Sequence, residues 1–499
     1  MSCGNYYISS FFWGTLAKVF NAIFGFISVP LLLGYFGKGD YGILSIATAC
    51  NGYMHLMDLG MNTGAVKFYS QWKAEGKQNN IYRVARTNLT FYIIISIINS
   101  ICLVCLALWG EGLFSINKNQ YMQLQICLYI LALFSIMSWC STVFTQLLIA
   151  DKQIAFTQQV NCIQVLLKCI LVVIVLRGEF SLSVYFFWLT LLVAIALIPF
   201  AYKCLKCKLI DSLKPALYWT DFKIVLVFSL SIFALSLFQI TASHSRPIIL
   251  SMFAIDGAET VADYRIIEVI PQLIIMIGGT FSSIFLPKAA ELITNNKSCD
   301  ILSFATKWTS RTTIIMVCLC FPFILCAKEV LSAYVGQEYD YLSHWLVLWC
   351  FIVLIQMHST PCYSLIIANG KTKSLVTLMS ISCLISICVN AILCKKIAVG
   401  SAIVGYSIYV IIVMAMYYLV FYKKYLGLSR IKIFMAFFKP TFIGCVCAFI
   451  MTLIPYDFDL ITFNSLKLNY IETCILKSVL WFLFYFMMLL ICKMIPLKR

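Results

Sequence analysis

Residues Phe11 to Phe68 read FFWGTLAKVFNAIFGFISVPLLLGYFGKGDYGILSIATACNGYMHLMDLGMNTGAVKF. Two long apolar segments flank a short turn, Gly34–Asp40, built from Gly, Lys and Asp. Each segment is long enough to cross a bilayer as a helix, which takes roughly 20 mostly apolar residues. The polar residues within them are ordered. Gly14, Lys18, Asn21, Gly25 and Ser28 recur at steps of four and three, which keeps them on one helical face. Ser45, Thr48, Asn51, His55, Asp58 and Asn62 do the same in the second segment. Small and hydroxyl residues serve as packing contacts between membrane helices, which accounts for Gly14, Ser28 and Ser45. Lys18, His55 and Asp58 need water or a charged partner, because a charge inside hydrocarbon is costly. A hydrophilic cavity between helices is the expected surrounding.

The rest of the chain extends this pattern. With 62% hydrophobic and 11% charged residues and a mean hydropathy of +0.93, the composition lies far from that of soluble globular proteins. Apolar runs predict an all-α polytopic membrane protein of about 14 spans, and the polar connections are too short for a soluble domain. The opening residues lack the positive n-region of a signal peptide, and the first apolar run is longer than a signal core.

The formal net charge of +17 follows topology. With a cytoplasmic N-terminus, Lys67, Lys73, Lys77, Arg83 and Arg86 fall inside, as do Lys203, Lys206, Lys208, Lys214 and Lys223, and later Lys423, Lys424, Arg430, Lys432 and Lys439. The opposite loops are poor in Lys and Arg and carry Asp256, Glu259, Glu338 and Asp340, and only Lys395–Lys396 runs against the trend. This is the positive-inside arrangement with both termini cytoplasmic. The basic excess then meets anionic membrane lipid, and no nucleic-acid partner is expected.

Two segments suggest an internal duplication. Asp40-Tyr41-Gly42-Ile43 recurs as Asp263-Tyr264-Arg265-Ile266, each opening the second helix of a six-helix set. Repeats with an even number of spans share one orientation and relate by an axis along the membrane normal. The expected plan is two pseudo-symmetric six-helix lobes around a central cavity. The N-lobe would be residues 1–207, a cytoplasmic linker 208–222, the C-lobe 223–425, and two extra spans 426–499. The seventh and eighth spans repeat the polar chemistry of the first two. Ser229, Ser236, Gln239, Ser243 and Arg246 share one face before Pro247, and Arg265, Glu268, Gln272 and Gly279 share another.

Several chemistries find no support. The 23 cysteines sit mostly within apolar runs, where free Cys is a small hydrophobe, so no disulfide framework is indicated. Cys204-x-x-Cys207 has no second pair of ligands nearby, and no metal site is expected. Gly370-Lys371-Thr372 ends like a P-loop, but Leu365 occupies the position of the leading glycine. His55, His244, His344 and His358 form no H-E-x-x-H, and Asp457-Phe458-Asp459 stands alone in a short loop. Neither an enzyme nor a cofactor is indicated.

Pro30-Leu31-Leu32-Leu33, Gly37, Asp40-Tyr41-Gly42, Asp58-Leu59-Gly60, Ala65 and Lys67 resemble the opening of the polysaccharide flippases. These belong to the multidrug/oligosaccharidyl-lipid/polysaccharide exporter superfamily, with the drug-and-toxin extruders and lipid II flippases. The resemblance implies an alternating-access exporter of undecaprenyl-diphosphate-linked oligosaccharide in the bacterial cytoplasmic (inner) membrane, a monomer serving O-antigen, capsule or exopolysaccharide assembly beside polysaccharide polymerase machinery. The substrate-binding candidates are Lys18, Asn21, Asn51, Gln239, Arg246 and Arg265, the cations meeting diphosphate and the amides meeting sugar hydroxyls. His55, Asp58 and Glu268 are the candidates for ion coupling. The competing readings are a multidrug extruder of the same superfamily, whose cationic substrates suit a basic cavity poorly, and a membrane polysaccharide polymerase or ligase, which would carry a large outer loop.

Overall fold

The computed structural model describes residues 3–294, 298–370, 372–453 and 466–494. Lys371 and the Asp457–Asp459 loop lie outside the described residues, and so does the side chain of Gln239. Every regular element among the described residues is helical. Where water is absent every backbone group needs a partner inside the protein, and a helix supplies all of them within one span.

The first element, α1 (Cys3–Met54), is 52 residues long and holds two helical arms joined at Gly37, where φ is +81°. Glycine adopts that conformation at no steric cost, and the bend falls within the expected turn. The second span does not continue as one helix. It breaks into a 3-10 turn, His55–Asp58, and resumes as α2 (Met61–Ala74). The chain continues as α3 (Gln78–Trp109), α4 (Lys118–Ala150), α5 (Ile154–Gly178), α6 (Leu182–Ala194), α7 (Leu197–Lys206) and α8 (Trp219–Phe253). Then follow α9 (Gly257–Thr294), α10 (Ser298–Leu325), α11 (Ala327–Tyr334), α12 (Ser343–Met357), α13 (Thr360–Ala368), α14 (Thr372–Ile397) and α15 (Val399–Met416). A π-helical turn, Tyr417–Tyr425, leads to α16 (Arg430–Leu453) and α17 (Leu466–Ile491).

Among the described residues, eleven segments are long and apolar enough to cross a membrane. The first, Phe12–Asp58, contains two crossings bent at Gly37. The long helices α8 and α9, of 35 and 38 residues, bring the tally to the expected fourteen. Contacts divide the chain into two compact units, Met1–Ala262 and Asp263–Arg499. The first takes in the linker and α8, which the sequence reading set at the head of the second lobe.

In the first unit α3 pairs with α4, α5 with α1, and α8 with both α1 and α2. Tyr69, Trp72, Tyr92, Trp139, Phe144, Phe200 and Phe222 fill its core. The linker is docked on α3: Tyr82 Oη donates to Lys208 O (3.0 Å), Arg86 Nε to Lys214 O (3.0 Å) and Thr90 Oγ1 to Ala216 O (2.8 Å). In the second unit α10 packs on α12 and α16, α14 on α15, and α17 on α11 and α16. Trp481 of α17 stacks on Phe321 of α10 at 5.2 Å. The two D-Y motifs make equivalent bonds. Asp40 accepts from Gln123 Nε2 in the first turns of α4 (3.4 Å), and Asp263 from Tyr341 Oη just ahead of α12 (2.8 Å).

A close helix contact runs along Gly60 and Gly64. A Cβ on Gly60 would lie 2.5 Å from Ser229 O of α8, and one on Gly64 would overlap Ser229 Oγ. Small residues at this spacing let two backbones approach. Replacing Gly64 by Val therefore forces α2 from α8 and is expected to cost about 1–3 kcal/mol. The detergent-solubilised variant should melt several degrees lower, whereas Gly14→Ala, whose Cβ would meet nothing within 4 Å, should melt as the parent does.

Candidate functional site

The break in the second span builds the site. After the 3-10 turn, Leu59 and Gly60 adopt left-handed φ of +52° and +74°, and α2 starts again with unsatisfied N–H groups. Asp58 supplies the missing acceptor: Asn62 N–H donates to Asp58 Oδ2 at 3.1 Å. A carboxylate is also favoured by the positive end of the helix dipole. The other oxygen, Oδ1, accepts from Tyr92 Oη of α3 at 2.5 Å. Gln146 Nε2 of α4 donates to Tyr92 Oη (2.9 Å), and Asn88 Nδ2 to Gln146 Oε1 (2.7 Å) and Tyr69 Oη (3.3 Å). Buried amides and hydroxyls thus form a chain that ends on the carboxylate.

One turn before Asp58, His55 lies against Trp139, their rings 5.3 Å apart, and Trp139 stacks on Tyr92 at 5.9 Å. His55 and Trp139 line a cavity of about 140 Å3 within the first unit, together with Thr48, Asn51, Asn99 and Thr190. Asn99 is almost fully buried, and its Nδ2 donates to Ser135 Oγ at 2.8 Å. Its Oδ1 has no partner among the described residues. An unmet buried acceptor is costly, so this oxygen calls for a hydroxyl, an amide or water from the cavity. The wall combines hydrogen-bonding groups with an aromatic face and carries one ionisable side chain, His55.

The remaining candidates are spread more widely. Lys18 and Asn21 are exposed on α1; Asn21 Nδ2 donates to Ala17 O at 2.9 Å, and Lys18 has no partner among the described residues. Arg246 is only 7% exposed, and its Nε donates to Ala242 O at 2.9 Å. Arg265 and Glu268 belong to the second unit and pair with each other at 2.5 Å. Glu268, 8% exposed, also accepts from Tyr264 Oη (3.1 Å) and Gln272 Nε2 (3.3 Å). Within the described residues, then, the structure brings Asn51 and His55 to one cavity wall, with Asp58 one turn beyond His55, and pairs Arg265 with Glu268.

Two features escaped the sequence reading. The network of Asn88, Tyr92 and Gln146 comes from isolated polar positions on two helices, which only packing aligns. The second is Lys168, a half-buried cation in the middle of α5 without a partner among the described residues. It closes a stripe of Thr157, Asn161, Gln164 and Lys168, stepping by four, three and four. The rule that found Lys18 finds Lys168 as well. A second cavity, of about 550 Å3, lies in the second unit between Ile355, Met414, Leu419 and Phe434, with Arg430 on its rim. Its His358 is engaged with Tyr418 Oη at 2.9 Å, so it offers sugars little.

Gln146→Leu removes the link between Asn88 and Tyr92 and leaves both with an unmet group. The expected cost is about 1–3 kcal/mol, read as a lower melting temperature of the purified protein. Asn161→Leu, at a half-buried position outside this network, should shift it much less.

Comparison with known proteins places this geometry in a family. The family model described as "Polysaccharide biosynthesis protein" matches residues 8–288. No curated protein sequence matches. Among solved structures, the chain is similar to an inward-facing multidrug resistance MATE family transporter of the MOP superfamily (TM-score 0.68, 12% identity, 80% of this chain and 92% of that one). It is also similar to the lipid II flippase MurJ in an inward closed conformation (TM-score 0.65, 12% identity, 95% and 98%). The bent form of the Vibrio cholerae MATE transporter VcmN is a further match (TM-score 0.52, 12% identity, 85% and 96%). At these identities the likeness speaks for the fold. The family match covers more than half of the sequence, so the chain belongs to the polysaccharide biosynthesis protein family and has the multi-pass membrane fold of MOP-superfamily transporters.

Proposed function

We propose that this protein flips an undecaprenyl-diphosphate-linked oligosaccharide from the cytoplasmic to the outer leaflet of the bacterial inner membrane. The product would feed assembly of O-antigen, capsule or exopolysaccharide, in company with a polymerase, and both termini would be cytoplasmic. The observation that carries this reading is the cavity at the broken second span. A sugar cannot shed its water in hydrocarbon without replacement hydrogen bonds. Asn51, Asn99 Oδ1 and the hydroxyls of Thr48 and Thr190 offer such bonds, and Trp139 offers a face on which an apolar sugar surface can lie. Lys18 and Arg246 are assigned to the diphosphate, for which charge-assisted bonds are the strong ones. Asp58 and His55 are assigned to ion coupling, since discontinuous helices hold such groups in secondary transporters. Glu268 is the weaker coupling candidate, because it is already held by three donors.

The alternative is an extruder of amphipathic drugs. Family membership supports the polysaccharide reading, as does the fuller alignment with the flippase fold, which takes in 95% of the chain against 80% for the extruder.

Lys18→Ala and Arg246→Ala, expressed at parental levels in cells scored for surface glycan, are each expected to lower it at least tenfold and to leave lipid-linked oligosaccharide on the inner leaflet. Full glycan from both variants would end the diphosphate assignment. In proteoliposomes, flipping should speed up under an inward proton or sodium gradient, and Asp58→Asn should abolish that response. Transport indifferent to both gradients would remove the coupling role.

A further inference from the structure

In the second unit, the end of α10, the short α11 and the start of α17 converge on two cysteines. Cys326 sits in the junction between α10 and α11, and Cys474 two turns into α17. Cys326 Sγ lies 3.9 Å from Cys474 O, and Cys474 Sγ lies 4.0 Å from Cys326 O. Such reciprocal contacts need the two backbones to run side by side, as a disulfide requires. The same helix ends are locked by Lys477 Nζ on Glu329 Oε1 at 2.5 Å and by a hydrogen bond from Gln337 to Tyr470. Cys326 is buried and Cys474 half-buried, so only one of the two thiols is open to a reagent.

We propose that Cys326 and Cys474 form a disulfide that ties α17 to the α10–α11 corner. The thiolate of Cys474 attacks an external disulfide, such as an oxidised thiol protein or oxidised glutathione, and expels one of its thiolates. Cys326 then attacks the mixed disulfide at Cys474 and expels the second. Two protein thiols lose two protons and two electrons, and the external disulfide becomes two thiols. Oxidising conditions prevail in the bacterial periplasm. The bond therefore rests on the topology proposed above, which puts this corner on the outer side, whereas the contact geometry does not depend on it. The other 21 cysteines, in this reading, stay reduced within spans and on the inner side.

The test uses the full-length protein in membranes from cells alkylated at lysis without reductant, digested and read by mass spectrometry. The expected result is one linked peptide pair carrying Cys326 and Cys474, lost after reduction and absent from Cys474→Ser. Absence of that pair from the unreduced parent overturns the proposal, and so does its formation with any other cysteine in place of either. Glu338→Cys, an exposed position at the same corner, separates the causes of failure. If a membrane-impermeant maleimide labels it on intact spheroplasts while no linked pair forms, the disulfide is wrong and the topology stands. If neither occurs, the topology is wrong as well.

Discussion

A backbone that crosses hydrocarbon must find a partner for each N–H and C=O within the protein, and the interruption of the second span between Met54 and Met61 is where this chain meets that demand by other means. The left-handed pair Leu59–Gly60 ends one helical segment and begins another, which frees N–H groups at the start of α2. Asp58 answers with one oxygen on Asn62 N–H, and its other oxygen recruits Tyr92, then Gln146 and Asn88. Gly60 and Gly64 are tied to the same event: α2 starts against α8, and only a residue without a side chain fits beside Ser229. The break, the cap, the buried network and the close helix contact are one solution to one requirement.

That solution also explains why a polar cavity lies beside it. A helix that stops and restarts turns His55 and Asn51 away from straight interhelical packing and leaves room among α1, α4 and α6. Asn99 donates to Ser135 and keeps its carbonyl oxygen unmet toward this space. In the second unit the corresponding charged residues close on themselves. Arg265, Tyr264 and Gln272 converge on Glu268 as three hydrogen-bond donors. Two stretches that share a motif thus spend their polar groups differently, one on an open wall and one on a compact cluster.

Much of the fold could be read from the residues. Long apolar runs gave the spans, the Gly and Lys content around Gly37 gave the first turn, and the spacing of Asn51, His55 and Asp58 gave a polar face. The 3-10 break could not be read, because a capping aspartate and a cavity-lining aspartate look alike in a helical pattern. Packing, not spacing, brings Asn88 and Gln146 together, since each is a lone amide in an apolar run. The pairing of Arg265 with Glu268 was visible in their three-residue separation. Lys168 was visible too, as the end of a regular stripe, and it shows that a periodicity rule finds only the helices to which it is applied.

The segment after α7 is an irregular linker, yet its carbonyl oxygens at Lys208, Lys214 and Ala216 are held by side chains of α3, and Thr87 accepts from Tyr218 N–H at 2.9 Å. A strap fastened at that many points cannot stretch or slide. Epitope tags or fluorescent fusions inserted there would peel it from its helix, and extra length at this point would be felt as strain at both of its ends.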